Sequence, residues 1–404
     1  MAKVASSKNL PNKTIVCLTP LPILEDTRVI KIAASFARWG YNSIVVEDGM
    51  SKSAVPLPFE LISLGKQAMQ IQTVPNIRTL WRIQAIRTAA YMVINGIPLL
   101  RTTLMPHIYR NGYMSQYGDR VKKALPEANL YLLRSYVQYP AIKGKPFIYD
   151  ASDFYSALWN NASNPEKKWA MPFHEKVERE CTEKALAIIT VSSGLIPLFS
   201  EKFGRSPELV RNCYDKRLDA PAKQTLKAML GLADSEFLAV VVGTAKDGMA
   251  IPPAIEALGR LSCHAHIAFV GKGHKDYGPR THSVGAVPAN EVVPFISDAD
   301  CVLILYFDLN ANYRYCLPNS LFQGIAAKIP ILYPMLPEIV CLASKYNLGL
   351  PINPLDPASI ASGINKLMAN KSTFDLEKAA AELSWEIEEQ KLKQIVEQLL
   401  HPKG

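Results

Sequence analysis

Short apolar runs recur along the chain, separated by stretches in which apolar residues return every three or four positions. The first run, "TIVCL" (14–18), is continuous rather than alternating, as in a strand covered on both faces. Val29, Ile32, Ala33, Phe36 and Ala37 then fall at i, i+3, i+4, i+7 and i+8, which predicts a helix. Asp26 is placed to cap its start and Gly40 to end it. "SIVVE" (43–47) completes a βαβ unit. Strands follow at "ANLYLL" (128–133), "KPFIYD" (145–150) and "AIITVS" (187–192), with a charged helix around "HEKVERECTEKA" (174–185) and another helix near 194–203. "PELVRN" (207–212) continues the alternation.

After a connecting stretch, 213–235, the pattern restarts. "FLAVVVG" (237–243), "HIAFVGKG" (266–273) and "CVLILY" (301–306) read as strands, with helices at "PAIEALGRL" (253–261) and "ANEVVPFISDA" (289–299). "CLPNSLFQGIAAKIPIL" (316–332) reads as turn, helix and buried strand. Helices close the chain at about 337–346, 357–369 and 375–400. Two runs of β–α alternation predict an α/β chain of two Rossmann-like, doubly wound parallel sheets facing each other across a cleft. The expected division is 1–212, 213–375 and a C-terminal helix, 376–404, packing back toward the first domain.

Composition narrows the function classes. The 404 residues suit about two domains, and 49% of them are apolar. The cysteines, seven in number, form no CxxC pair or other metal-type spacing, which favours a reduced cytosolic protein. The polar first ten residues do not resemble a secretory signal, and no apolar run reaches the roughly 20 residues that span a bilayer. The net charge of +9 is concentrated. No acidic residue occurs between Glu60 and Asp119, where Lys66, Arg78, Arg82, Arg87, Arg101 and Arg110 are interleaved with Trp81, Tyr91, Ile94 and Leu99. Such a mixture fits contact of the segment 66–118 with an anionic membrane surface, the alternative being a buried helix pair ringed by arginines. No nucleic-acid recognition motif accompanies the charge. The expected location is cytoplasmic, peripheral on the inner membrane face.

The candidate chemistry sits at strand ends. The turn after the first strand, "TPLPILED", lacks the Gly-rich dinucleotide fingerprint, so NAD or FAD is not supported. Gly243, Gly271 and Gly273 permit close backbone approach, or simply make turns. Asp153 follows a strand at the carboxyl edge where α/β sites form, and Asp150 reads as a structural strand-end carboxylate. His174 reads as a solvated residue of a charged helix, and His264 with His266 lacks an evident third metal ligand.

Several segments together resemble the cytosolic GT-B glycosyltransferases, especially the retaining bacterial sugar-transferase group of the family-4 type. They are "DTRVIKIAASFARWGYNSIVVE", "FIYDASDFY", "ITVSSGLIPLFSEKFG" with "VRN", "VGAVPANEVVPFISDADCVLILY", "LPNSLFQGIAAKIPIL", "NLGLPINPLDPASIASGINKL" and "SWEIEEQKL". They occur in order over most of the chain, excepting about 61–125. The resemblance implies transfer of a hexosyl or uronosyl unit from a nucleotide-sugar donor, held by the C-terminal half, to a glycan or lipid-linked acceptor held by the N-terminal half. It implies no cofactor and no metal, with the leaving group stabilised by cations and helix N-termini. A role in cell-envelope polysaccharide assembly follows from the same resemblance.

Residue by residue, the resemblance places Gly243, Thr244, Lys246, Gly271, Lys272, Pro318, Asn319, Ser320 and Gln323 at the donor and Asp26 and Arg28 on the acceptor side. "YDASD" is locally similar to the inverting xanthan-type glucuronosyltransferases, which makes Asp153 the candidate base on the acceptor hydroxyl. The chain also departs from the family. Thr244 and Met249 stand where the family commonly carries phosphate-binding cations, with Lys246 out of register between them. Ser320 replaces a Lys, Gln323 a ribose-binding Glu and Tyr315 its partner Glu. Lys272, Arg314 and Lys328 are spare cations nearby in sequence. Two alternatives therefore stay open: a non-catalytic GT-B homologue serving as binding or scaffold subunit, and an epimerase or phosphorylase on the same fold.

Overall fold

The computed structural model describes residues 13–51, 56–65, 97, 115–155, 165–369 and 374–402. The basic segment 66–118 lies outside the described residues, apart from residue 97 and the beginning of one helix. The chain divides into two compact units, Met1–Ala151 with Tyr155–Ile188, and Ser152–Phe154 with Ile189–Gly404.

The first sheet contains β1 (Thr14–Thr19), β2 (Asn42–Glu47), β3 (Glu60–Ser63), β4 (Leu130–Leu133), β5 (Phe147–Asp150), β6 (Ala187–Thr190) and β7 (Glu208–Leu209), in the order β3-β2-β1-β4-β5-β6-β7. Its helices are α1 (Thr27–Arg38), α2 (Ser115–Ala124), α3 (Pro165–Lys184) and α4 (Leu195–Phe203). Ile15 to Leu18 of β1 are completely buried, as the continuous apolar run predicts for a central parallel strand. The Asp26 carboxylate accepts from the Val29 amide and caps α1; Gly40, at φ +85°, follows its end.

The second sheet contains β8 (Phe237–Val242), β9 (Ala265–Val270), β10 (Thr281–Val284), β11 (Cys301–Leu303), β12 (Ile331–Pro334) and β13 (Gly349–Ile352), in the order β10-β9-β8-β11-β12-β13. Its helices are α5 (Leu226–Leu230), α6 (Ile251–Leu258), α7 (Val292–Ile296), α8 (Ala311–Arg314), α9 (Asn319–Ala327), α10 (Pro337–Tyr346), α11 (Pro357–Ala369), α12 (Leu376–Glu382) and α13 (Trp385–Leu400). Gly324 lets α9 lie flat on the sheet, since a Cβ there would come within 2.9 Å of Val302 Cγ2.

Both sheets are parallel and doubly wound, as the alternation predicts. The closing helix expected over 375–400 is instead two, α12 and α13. The break falls at Ser384, which bridges to Tyr214, while the Trp385 amide donates to the Tyr214 carbonyl. In each sheet strand order reverses once, between β1 and β4 and between β8 and β11. A crevice opens at the carboxyl ends of strands on either side of such a reversal, so chemistry is expected there.

Candidate functional site

Asp26 and Arg28 lie at the β1/β4 reversal, and both are buried in the fold. Thr19 Oγ1 donates to Asp26 Oδ2 at 2.8 Å, and Arg134 Nε lies 3.6 Å from the other carboxylate oxygen. Arg28 Nε donates to Asp150 Oδ2 at 2.6 Å, in an ion pair with almost no solvent exposure. Asp150 thereby has a structural partner, as its strand-end position suggests. His174 requires a correction. It is buried, not solvated, and its Nδ1 shares a 2.6 Å hydrogen bond with the Tyr136 hydroxyl. Burial holds its pKa down at about 4, so the ring is neutral at physiological pH.

The β8/β11 reversal gathers most of the expected donor residues. Gly243 ends β8 at φ +132° and Gly271 ends β9 at φ +153°. A Cβ on Gly271 would overlap the Gly243 carbonyl, so the two turns touch backbone to backbone. The Ala245 amide donates to the Lys272 carbonyl at 2.9 Å, and His274 Nε2 donates to the Gly243 carbonyl at 2.8 Å. These bonds fix the entrance of the loop 243–250. Its far end is fixed by β11's continuation, where the Ala250 amide donates to Leu305 O and the Phe307 amide to Gly248 O.

Within this loop Lys246 Nζ sits 5.0 Å from the centroid of the Tyr306 ring. Lys246 is exposed as a residue; partial desolvation of its ammonium lowers the pKa, but Tyr306, Tyr313 and, least of these, the Asp153 carboxylate outweigh it and hold the pKa above the ordinary lysine value. Lys246 is therefore a cation at neutral pH. Asp153 is half-buried in the short stretch Ser152–Phe154, which belongs to the second unit. Thr244 is exposed beside Gly243.

Helix α9 brings in the remaining candidates. Pro318 starts it without a side-chain cap, so its first N–H groups face outward from the helix end. Asn319 Oδ1 accepts from Asn212 Nδ2 at 2.7 Å. Ser320 and Gln323 are buried, and Gln323 Oε1 has no hydrogen-bond partner. Two of the other nearby cations are engaged elsewhere. Arg314 pairs with Asp308 at 2.8 Å, and Lys328, at the opposite end of α9 in a left-handed C-cap, pairs with Glu377 at 2.5 Å. Tyr315 lies over Gly194, where a Cβ would overlap its ring. Burial raises the Cys316 thiol to about 12, so it is no nucleophile.

Sequence reasoning missed Tyr306, Asn312, Tyr313 and His274. Their roles arise from partners far along the chain, and the one local signal was Asn310, whose side chain caps α8. Among the described residues, no group of three or more His, Cys, Asp and Glu side chains could hold a metal ion. His266 pairs instead with His282 at 3.0 Å and with Glu236 at 3.3 Å. Among the described residues, no helix is long and apolar enough to cross a membrane.

No protein-family model matches the chain, and comparison with curated proteins gives no match. Solved structures do match over nearly the whole length. The sucrose-phosphate synthase of Thermosynechococcus elongatus superposes with a TM-score of 0.68 at 13% identity, covering 97% of this chain and 100% of that one. HepE of Anabaena, solved in complex with UDP-glucose, gives 0.63 at 13% identity, over 96% and 100%. WaaG, a glycosyltransferase involved in lipopolysaccharide biosynthesis, gives 0.60 at 14% identity, over 96% and 100%. Two parallel α/β sheets of seven and six strands, matched across nearly the full length of these structures, give the chain the GT-B fold of glycosyltransferases.

Proposed function

We propose that this protein is a metal-independent glycosyltransferase that binds a nucleotide-sugar donor at the β8/β11 edge. The observation that carries the reading is Gln323. A buried amide oxygen without a donor is costly, typically about 1–3 kcal/mol, and is tolerated where a ligand supplies the missing hydrogen bond. A ribose hydroxyl supplies such a donor. The glycine turns at 243 and 271, the Lys246 ammonium and the α9 N-terminus then suit the phosphates that follow the ribose. Solved structures of like fold include a complex with UDP-glucose, which supports this class of donor.

In the same reading Asp153 takes the proton from the acceptor hydroxyl, as its local resemblance to the xanthan-type enzymes suggests. The donor sugar is hexosyl or uronosyl and the acceptor a glycan or lipid-linked glycan of envelope polysaccharide assembly. The basic segment 66–118 would hold the protein to an anionic inner membrane face. The family-4 resemblance supports the sugar and acceptor assignments, and the run of basic and apolar residues without an acid supports the membrane one. The test is a turnover screen, in which the protein is incubated with nucleotide sugars and lipid-linked glycans and donor consumption is followed. Consumption of one donor supports the reading. Binding without consumption of any donor favours the scaffold reading, which has the neutral residues Thr244, Met249 and Ser320 in its favour.

A further inference from the structure

Asp153 and Lys246 come from segments far apart in the chain, and both are tied to the same short helix, α8. The Asn312 side chain accepts from the Phe154 amide at 2.6 Å and donates to the Phe154 carbonyl at 2.8 Å. One side-chain amide thus satisfies both backbone groups of the residue after Asp153, as a neighbouring strand would do. Phe154 is also packed edge-on against Phe199, with ring centroids 5.4 Å apart. On the next residue of α8, the Tyr313 hydroxyl donates to the Asp247 carbonyl, and its ring fills the space that a side chain at Gly248 would need. Gly248, at φ +85°, follows the residue that Tyr313 holds. Asn310 fixes α8 itself, with its Oδ1 accepting from the Asn312 amide at 3.0 Å and the Tyr313 amide at 3.3 Å.

We propose that α8 is the positioning element of the site: Asn312 sets the backbone that carries the Asp153 carboxylate, and Tyr313 sets the loop that carries Lys246. The inference rests on the glycosyltransferase reading and adds to it a residue whose role is indirect. Asn is suited to the task because its amide both donates and accepts, which matches a backbone N–H and C=O together. An Asp at 312 would lose the bond to Phe154 O, and a Leu would lose both. Small displacements matter here, since a misplacement of about 1 Å can cost roughly 100-fold in rate.

The experiment is a double-mutant cycle on turnover, using Asn312→Ala and Asp153→Asn, with donor consumption as readout. Asn312→Ala should lower kcat by roughly 10- to 100-fold and leave the donor KM within about 3-fold, because the lost geometry concerns the acceptor proton. In the Asp153→Asn background the same substitution should cost nothing further, since residues acting as one unit are not additive. Asn312→Ser, too short to reach both partners, replaces the alanine variant where that one unfolds. An unchanged kcat for Asn312→Ala, or the same loss with and without Asp153, overturns the inference while leaving the glycosyltransferase reading intact. Wild-type turnover by Asp153→Asn itself overturns the role of Asp153 and the inference with it.

Discussion

Gly271 and Gly243 meet backbone to backbone, so closely that a Cβ on Gly271 would overlap the Gly243 carbonyl oxygen. The contact holds the turns after β8 and β9 together and shapes the loop that carries Lys246. Gly271→Ala adds both the overlap and a side chain at φ +153°. Strain of this kind costs roughly 1–3 kcal/mol. Gly285→Ala, where an added Cβ meets nothing within 4 Å, should change stability by less than about 0.5 kcal/mol. Equal urea midpoints for the two variants would contradict the account of this contact.

Arg28 and Asp150 form an ion pair with side-chain exposures of 2% and 0%. Breaking a buried pair by removing one partner leaves an uncompensated charge and typically costs about 3–5 kcal/mol. Arg28→Met should therefore destabilise strongly, and adding Asp150→Leu to it should recover part of the loss. Urea unfolding of the single and double variants measures this. A purely acceptor-side role for Arg28 would instead leave stability unchanged and move only the acceptor KM.

The buried His174 gives the fold a pH dependence. Its pKa is about 4 in the folded chain, below the ordinary histidine value of 6.5. Above that ordinary value both states are neutral, and the full stability is present. As pH falls from about 6.5 toward 4 the unfolded chain takes up a proton that the folded chain refuses, and stability is lost, by at most about 3 kcal/mol. Denaturation as a function of pH should show a shallower decline in this window for His174→Gln than for wild type. Identical slopes would place the acid sensitivity elsewhere.

Much of the fold was legible because it depends on local pattern. The uninterrupted apolar runs at β1 and β8, the spacing along α1 and its Asp26 cap are statements about neighbouring residues. Edge strands were less visible. Thr281–Val284 and Glu60–Ser63 are half-exposed and carry polar residues, and Gly349–Ile352 contains a proline that only an edge strand accommodates. The break between α12 and α13 answers to Tyr214, about 170 residues away in sequence. His174 was misread because its partner, Tyr136, lies on another element. The candidate donor residues could be named from motif order, whereas Asn312 could not, because its clamp on Phe154 joins residues separated by 158 positions.

In the proposed reading, the β8/β11 edge binds a nucleotide sugar with Lys246 as its phosphate cation. A turn of glycine backbone and the N-terminus of α9 already favour a diphosphate, and one lysine adds a flexible point charge without the two-pronged geometry of arginine. Lys246→Ala should lower kcat/KM by roughly 100-fold where the ammonium meets the leaving phosphate in the transition state.

The most direct measurement is titration calorimetry of the wild-type protein against UDP, GDP and their hexose and uronic acid sugars, repeated with Lys246→Ala. The wild type should bind a uridine or guanosine diphosphate compound saturably, and the variant more weakly by at least about tenfold, the equivalent of roughly 1.4 kcal/mol. Absence of heat and of saturation with every nucleotide at millimolar concentration, or binding of equal strength in the variant, would contradict the proposed reading.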